Sequence, residues 1–394
     1  MKKALIVTHV SGFVPQFEMN NVRLLQSMGY EVHYASNYNN VNYGTDNHRL
    51  DGTGIIRHQI DFARSPFQGK ENARAYRQLK QLMKEQQFDL VHCHTPVGAA
   101  LARLAAKPYR KQGTKVIYTA HGFHFYQGAP FRYWLLFYPA ECFLASLTDV
   151  LITINEEDYE RAKRFCRRKR TKVEHIPGVG VDTAFFSGKD LPEGTRENIR
   201  QTMRGNLNVA EKEVVFLSVG ELTSRKNHSS VIQAFAELEG EESCPFRYFI
   251  CGQGVLKKEL QQQIEKAGLS KRVALLGYSE DIRELLYAAD IFVFPSLQEG
   301  MPMALMEAVA AGMPVIASDI RGNRELVSIQ EDVQLFSDAK GLKQLLHEAV
   351  LNASEGRQAK GKSDKIINRD SRLQVIDKYQ VSIRMQEIYK EVEQ

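Results

Sequence analysis

Twice along this chain, apolar runs of strand length alternate with amphipathic stretches of helical length. In the first half, Ala4–Val7, Glu31–Ala35, Leu90–His92, Val116–Thr119 and Val150–Ile154 read as strands. Phe17 to Met28 and Ala73–Glu85 read as helices between them; Met19, Val22, Leu25 and Met28 fall at helical spacing. Pro and Gly in Ile176-Pro177-Gly178-Val179-Gly180 mark a connection, and a polar stretch follows from Ser187 to Gly205. The alternation then restarts, with strands at Val214–Val219, Phe246–Cys251, Val273–Leu276, Ile291–Phe294 and Val315–Ala317. Helices separate them at Ser229–Leu238, Leu256–Ala267, Asp281–Ala289 and Ala304–Ala311. Strands in this order build parallel α/β sheets with right-handed crossovers. A length of 394 residues suits two such domains better than one. Residues 1–178 are expected to form the first and 179–371 the second, and a last helix, about 372–394, offers Ile376, Tyr379, Ile383 and Ile388 for one apolar face.

Hydrophobic residues at 43% and charged residues at 25% are the balance of a soluble globular protein. The five cysteines, Cys93, Cys142, Cys166, Cys244 and Cys251, form no Cys-x-x-Cys pair, so neither a disulfide framework nor a zinc knuckle is expected. A reducing, cytoplasmic setting fits. Met1-Lys2-Lys3 leads into a run of strand length only, which predicts no signal peptide. No uncharged apolar run reaches the roughly 18 residues of a membrane span; Tyr133 to Leu147 is broken by Pro139 and Glu141. Residues 1–180 carry a net charge of +10 and the remainder −5. The basic half suits an anionic membrane surface, phosphates or nucleic acid.

The strongest local signal is Gln298-Glu299-Gly300-Met301-Pro302-Met303-Ala304-Leu305-Met306-Glu307, after the strand ending at Phe294. It reads as a strand end, a glycine turn and a helix starting near Pro302, whose free N–H groups can face an anion or a sugar hydroxyl. Glu299 falls in the loop and Glu307 in the helix, so the two carboxylates can reach two parts of one polyol. Two acids at this spacing are also what a helix start with solvated glutamates offers. The context decides between these readings. With seven residues between the acids, Glu299 to Glu307 resembles the paired-glutamate signature of glycosyltransferase family 4. Ala308-Val309-Ala310-Ala311-Gly312-Met313-Pro314-Val315-Ile316-Ala317 and Gly220-Glu221-Leu222-Thr223-Ser224-Arg225-Lys226-Asn227 are similar to the same family.

The resemblance implies a GT-B fold, in which two Rossmann-like, doubly wound domains face each other across a cleft and the last helix packs back on the first domain. It implies that Arg225 and Lys226 hold the donor pyrophosphate, where a guanidinium fork and an ammonium offset the charge growing on the leaving phosphate. It assigns Glu307 to the ribose and Glu299 to the donor sugar or its reacting centre. Backbone groups around Gly300, Met301 and Pro302 would contact sugar and phosphate. Gly277-Tyr278 resembles the place where the base is read. Gly12, in Val10-Ser11-Gly12-Phe13, resembles the glycine loop that approaches the donor phosphate; it is not a Gly-x-Gly-x-x-Gly dinucleotide fingerprint. His121, in Tyr118-Thr119-Ala120-His121-Gly122-Phe123-His124, resembles the family's active-site histidine at a strand end, where open α/β sheets bind ligands. Alone, each of these residues also has an ordinary structural explanation. Asn227 stands where glycine is frequent, and Ile176 to Asp182 departs from the commoner Asn-Gly-Val-Asp form. Altered loop geometry is expected from both.

His92-Cys93-His94-Thr95 has three metal-ligand types in a row, but strand alternation sends Cys93 to the opposite face. His94 is therefore expected on the acceptor side. No metal is expected there, and the absence of Asp-x-Asp implies no cation bridging the pyrophosphate. No cofactor is expected; the nucleotide sugar is a substrate.

Phe123 to Phe137 is rich in aromatic residues and Arg161 to Lys172 in basic ones. Together they suit docking on an anionic membrane, against the bland readings of a buried aromatic helix and a solvated charged face. The runs Thr119–Tyr126 and Ile152–Tyr159 resemble the exopolysaccharide and capsule members of the family, whose usual acceptor is a polyprenyl-diphosphate-linked sugar. The expectation is thus a retaining transferase moving a sugar, an N-acetylhexosamine for choice, from a UDP-sugar to a lipid-linked acceptor at the inner face of the cell membrane. A nucleotide-sugar epimerase on the same fold needs the donor site but no acceptor. A nucleic-acid- or polyanion-binding protein would explain the basic half, yet no nucleic-acid motif is present, so no nucleic-acid partner is expected.

Overall fold

The computed structural model describes residues 1–42, 46–239, 245–354 and 371–394. Cys244 lies outside them. Contacts divide the chain into two compact units, one of residues 1–179 with 379–394 and one of residues 180–378.

The N-terminal unit is built on a parallel sheet of β1 (Lys2–Val7), β2 (Tyr30–Ser36), β3 (Ile56–Gln59), β4 (Leu90–His94), β5 (Lys115–Ala120), β6 (Val150–Thr153) and β7 (Lys172–His175). Its order is β3-β2-β1-β4-β5-β6-β7. Central β1 pairs with β2 on one side and β4 on the other, Ala4 lying beside Val32 and Leu90. Alternation splits it between two layers: Leu5 and Val7 join one buried cluster, Ala4 and Ile6 the other. Both faces are covered, as a parallel sheet requires.

The last helix, Lys378–Glu393, covers the Ala4 and Ile6 side with Val381, Met385, Ile388, Tyr389 and Val392. This corrects the expected apolar face. Ile376 and Ile388 are buried, but Tyr379 and Ile383 are exposed, because the buried stripe starts at Val381.

The C-terminal unit repeats the plan with β8 (Val214–Val219), β9 (Phe246–Cys251), β10 (Val273–Gly277), β11 (Ile291–Phe294), β12 (Val315–Ser318) and β13 (Val333–Phe336). All pairs are parallel, in the order β10-β9-β8-β11-β12-β13. In each unit the strand order reverses once, between β1 and β4 and between β8 and β11. Ligands of open α/β sheets bind at the carboxyl ends of the strands flanking such a point.

Edge strands β3, β7 and β13 have no counterpart in the sequence reading. They are only four residues long, and β3 is largely exposed. Helix Thr195–Asn206 occupies the end of the stretch read as a polar connection and runs one residue past it. Helix Phe131–Ala145 runs through Pro139. There Glu141 accepts a two-pronged bond from fully buried Arg103 at 2.9 and 3.0 Å, and Arg103 also lies over the Tyr118 ring.

Candidate active site

Two groups of the expected residues lie at the two reversal points. In the C-terminal unit, Glu299 follows β11 and Arg225-Lys226 follow β8. Oε1 of Glu299 accepts from Arg225 Nη1 at 2.7 Å, Lys226 Nζ at 2.8 Å and Ser296 Oγ at 2.5 Å. The backbones are tied as well: Leu297 N donates to Arg225 O at 2.8 Å, and Arg225 Nη1 to Gln298 O at 3.1 Å. Lys226 Nζ also stands 4.8 Å from the centre of the Phe294 ring. Lys226 and Glu299 are mostly shielded, whereas the Arg225 side chain is 43% exposed.

The turn Gly300-Met301-Pro302 leads into helix Met303–Ala311, whose N-terminus has no side-chain cap. Its first N–H groups therefore remain available to an anion. Glu307, the fifth residue of this helix, has no hydrogen-bond or ion-pair partner among the described residues. Burial pushes its carboxyl up to about 7.

Two close backbone approaches shape these loops. A Cβ on Gly322 would stand 2.3 Å from Gly300 O, and one on Gly252 would stand 1.9 Å from Gly220 O. Gly252 N also donates to Gly277 O at 2.7 Å, bringing the turn before Tyr278 alongside. Tyr278 itself is exposed. The sequence reading missed Gly252-Gln253-Gly254, a Gly-x-Gly at a strand end. It also missed Arg321, whose Nε donates to Glu299 O at 3.1 Å.

In the N-terminal unit, His94 ends β4 and His121 follows β5. His94 Nδ1 and His121 Nε2 are 3.1 Å apart. Glu18, at the end of a wide π-helical turn over Val14–Glu18, points Oε1 at both, 3.5 Å from His94 and 3.8 Å from His121. No motif signals Glu18; only the fold brings it to the two histidines. Asn21 Nδ2 donates to Glu18 Oε2 at 2.6 Å, and Phe13 packs edge-on to His121. Burial pushes Glu18 up to about 8 and lowers His121 to about 4; burial and then its neighbours His92 and His121 hold His94 well below the usual imidazole range. All three are therefore mainly uncharged near neutrality.

His92 and Cys93 are structural. His92 bonds Tyr389 Oη and Thr119 Oγ1, both at 2.8 Å. Cys93 faces the opposite layer, where its Sγ meets Ile117 O, in keeping with strand alternation. Gly12 N donates to Val41 O at 2.7 Å, and a Cβ there would collide with Asn42 O, so a crossing of backbones requires this glycine. The His121 loop is anchored by Asp158, whose Oδ2 accepts from Phe123 N at 3.0 Å. Asn155 caps helix Glu156–Cys166 by accepting from Asp158 N at 2.9 Å, so one helix start holds the loop.

The aromatic stretch divides. Phe123 and Phe125 are buried, and Trp134, Phe137 and Tyr138 pack on the core. Phe131, Leu135, Leu136 and Phe143 of helix Phe131–Ala145 are exposed. The basic run divides too: Arg161 and Lys163 pair with Glu157 and Glu160, and Lys172 with Glu174 and Glu391. Arg164, Arg167, Arg168 and Arg170 are exposed and form no ion pair among the described residues. No helix among the described residues is long and apolar enough to cross a membrane.

Two family models match the chain: Glycosyltransferase Family 4 over residues 19–185 and Glycosyl transferases group 1 over residues 199–369. EpsD of Bacillus subtilis (strain 168), assigned as a glycosyltransferase, is 37% identical over 365 residues, 91% of each chain. An Escherichia coli enzyme named UDP-Gal:alpha-D-GlcNAc-diphosphoundecaprenol alpha-1,3-galactosyltransferase is 32% identical over 311 residues, 76% of each chain. Among solved structures, Anabaena Alr3699/HepE in complex with UDP and glucose superposes with a TM-score of 0.72 at 18% identity, covering 99% of this chain and 100% of that one. At that identity the likeness speaks for the fold.

Proposed function

The chain belongs to glycosyltransferase family 4, with its GT-B fold, and from that premise we propose that it transfers a sugar from a UDP-sugar to a polyprenyl-diphosphate-linked acceptor, with retention, in exopolysaccharide or capsule synthesis. An N-acetylhexosamine is the first donor sugar to test. The observation that carries the reading is the convergence of Arg225 and Lys226 on one oxygen of Glu299 beside an uncapped helix N-terminus. In this reading the two cations take the donor diphosphate without a bridging metal, and the turn Gly300-Met301-Pro302 presents N–H groups to phosphate and sugar. Glu307 binds the ribose, Tyr278 borders the base and Glu299 orients the sugar. His121 approaches the reacting centre as a neutral imidazole, with His94 behind it on the acceptor side. Gly12, in the turn after β1, lets backbone approach the donor phosphate.

No carboxylate is assigned as a covalent nucleophile. The acceptor hydroxyl attacks from the face that the leaving phosphate vacates, and a phosphate oxygen takes its proton. The named specificity of the E. coli relative supports a lipid-linked acceptor. Exposed Phe131, Leu135, Leu136 and Phe143, with the unpaired arginines of residues 164–170, support peripheral docking at the inner face of the membrane.

A calorimetric titration with UDP, GDP and ADP tests the donor side. Selective UDP binding that disappears in Arg225→Ala/Lys226→Ala is expected. Preference for another base would replace the donor, and binding unchanged in the double variant would remove the site.

A further inference from the structure

Glu18, His94 and His121 converge in a way that hydrogen bonding alone does not explain. Oε1, Nδ1 and Nε2 form a triangle with sides of 3.1, 3.5 and 3.8 Å. Only the shortest side is a hydrogen bond; the other two are too long. Yet each of the three atoms can offer a lone pair once the proton shared by the two imidazoles has moved to an outer ring nitrogen, and all lie within 4.8 Å of one another. Zn2+ bonds nitrogen and carboxylate oxygen at about 2.0–2.2 Å, which in a tetrahedron sets neighbouring ligand atoms about 3.4 Å apart. The observed sides bracket that separation.

The surroundings fit an ion as well. Glu18 and His94 side chains are almost fully buried, while His121 retains 25% exposure and gives a way in. Asn21 holds Oε2 of Glu18 and leaves Oε1 free, the orienting role that an outer-shell partner plays at metal sites. A cavity of about 20 Å³, lined by Glu18, Asn21, Thr119 and His121 among others, is large enough for one water. The three groups come from a helical turn and two different strand ends, so no spacing motif reveals them.

We propose that Glu18, His94 and His121 bind one divalent transition-metal ion of the Zn2+ type, with a water as fourth ligand. The ligand set, two histidines and one glutamate, is a known open zinc arrangement. The ion would balance the buried carboxylate and fix both imidazole tautomers. All three ligands lie in the N-terminal unit, so the site differs from a cation bridging the donor diphosphate. The sequence reading expected no metal at residues 92–94 because alternation sends Cys93 to the opposite face; Cys93 does lie there, and Glu18 would supply the third ligand instead.

The test uses the full chain stripped with EDTA and titrated with Zn2+ against a chromophoric chelator at neutral pH. Expected is one tight equivalent, weakened by at least about tenfold in Glu18→Gln and in His94→Gln, since losing even an outer-shell partner costs on the order of 10–100-fold. His58→Gln, at a histidine paired elsewhere with His33, should bind as the parent does. Circular dichroism confirms that each variant is folded. Co2+ loading of the unaltered protein gives a readout independent of any variant: intense four-coordinate visible bands without a thiolate charge-transfer band are expected. Absence of a stoichiometric site, a thiolate signature, or Zn2+ binding unchanged in folded Glu18→Gln would overturn the proposal. None of these readouts requires transferase activity, so the metal site and the transfer reading fail separately.

Discussion

Nζ of Lys226 lies 2.8 Å from Oε1 of Glu299, so the cation proposed to hold the donor diphosphate is balanced by the carboxylate proposed to orient the donor sugar. Binding a diphosphate must compete with that carboxylate. Removing its charge should therefore separate nucleotide affinity from turnover. Glu299→Gln is expected to bind UDP up to about tenfold tighter, the worth of one charge-assisted bond of ~1.5 kcal/mol. Its kcat should fall by on the order of 10²–10³, as for other lost transition-state contacts. Calorimetry with UDP and steady-state kinetics check the two halves; parallel losses in both would place Glu299 in simple donor binding.

Gly322 is expected to matter through Gly300. An added Cβ would stand 2.3 Å from the Gly300 carbonyl oxygen, a backbone atom that cannot rotate away. Gly322→Ala should shift the Gly300-Met301-Pro302 turn, cost about 1–3 kcal/mol as overpacking does, and weaken UDP-sugar binding. Chemical denaturation and calorimetry measure the two effects. A stable variant with parental donor affinity would show that the turn absorbs the methyl group without consequence.

Asp158 should act on catalysis through position rather than contact. Its Oδ2 accepts from Phe123 N, two residues after His121. Asp158→Ala leaves that buried N–H without its carboxylate, at a cost of about 1–3 kcal/mol. It is expected to lower kcat with UDP affinity intact. Asp158→Asn keeps an acceptor oxygen and should restore most of the rate. If Asp158→Ala and Asp158→Asn are equally impaired, charge at this position matters more than the hydrogen bond.

Membrane docking can be tested with vesicles containing an anionic phospholipid. Helix Phe131–Ala145 exposes Phe131 and Leu135, and Arg167 and Arg168 are exposed in the same unit. Arg167→Ala/Arg168→Ala should reduce vesicle partitioning roughly thirtyfold, at about 1 kcal/mol per basic residue near the surface. Phe131→Glu/Leu135→Glu should reduce it even at high salt, where the charge term is screened. Equal sedimentation of both variants and the parent would exclude this face as the docking surface.

The two sheets and most of their strands were legible because buried parallel strands read as apolar runs, as Val214–Val219 and Ile291–Phe294 do. Edge strand β10 was legible, but edge strands β3, β7 and β13 were not: Ile56–Gln59 contains Arg57, His58 and Gln59, and solvent on its open side removes any need for apolar residues. Helix Pro96–Ala106 has no counterpart in the sequence reading: apart from Arg103 it consists of small and apolar residues, and a short run of that kind does not separate a buried helix from a buried strand. Glu299, Arg225 and Lys226 stood out through their motifs, and the fold brings them together because they sit in loops after strands that could be placed. Glu18 was invisible: a glutamate before an amphipathic helix looks solvated until the fold buries it against His94 and His121.

His228 supplies a pH-dependent signature in the C-terminal unit. It opens helix His228–Leu238 two residues after Lys226 and is buried. Burial, with a smaller contribution from the Lys226 charge, lowers its imidazole to about 4. Below the ordinary value of 6.5 the unfolded chain takes up a proton that the folded protein refuses until about pH 4. Protons then favour the unfolded state, so stability contributed by the neutral ring is present above pH 6.5 and lost as pH falls toward 4. The slope is at most about 1.4 kcal/mol per pH unit for one group. Denaturation from pH 7 to pH 4 should show His228→Gln losing less stability than the parent across that window, with the two curves parallel above pH 7. Parallel curves throughout would mean that His228 takes up its proton alike in the folded and unfolded states, and the packing around Lys226 would then have to accommodate two adjacent cations at acid pH.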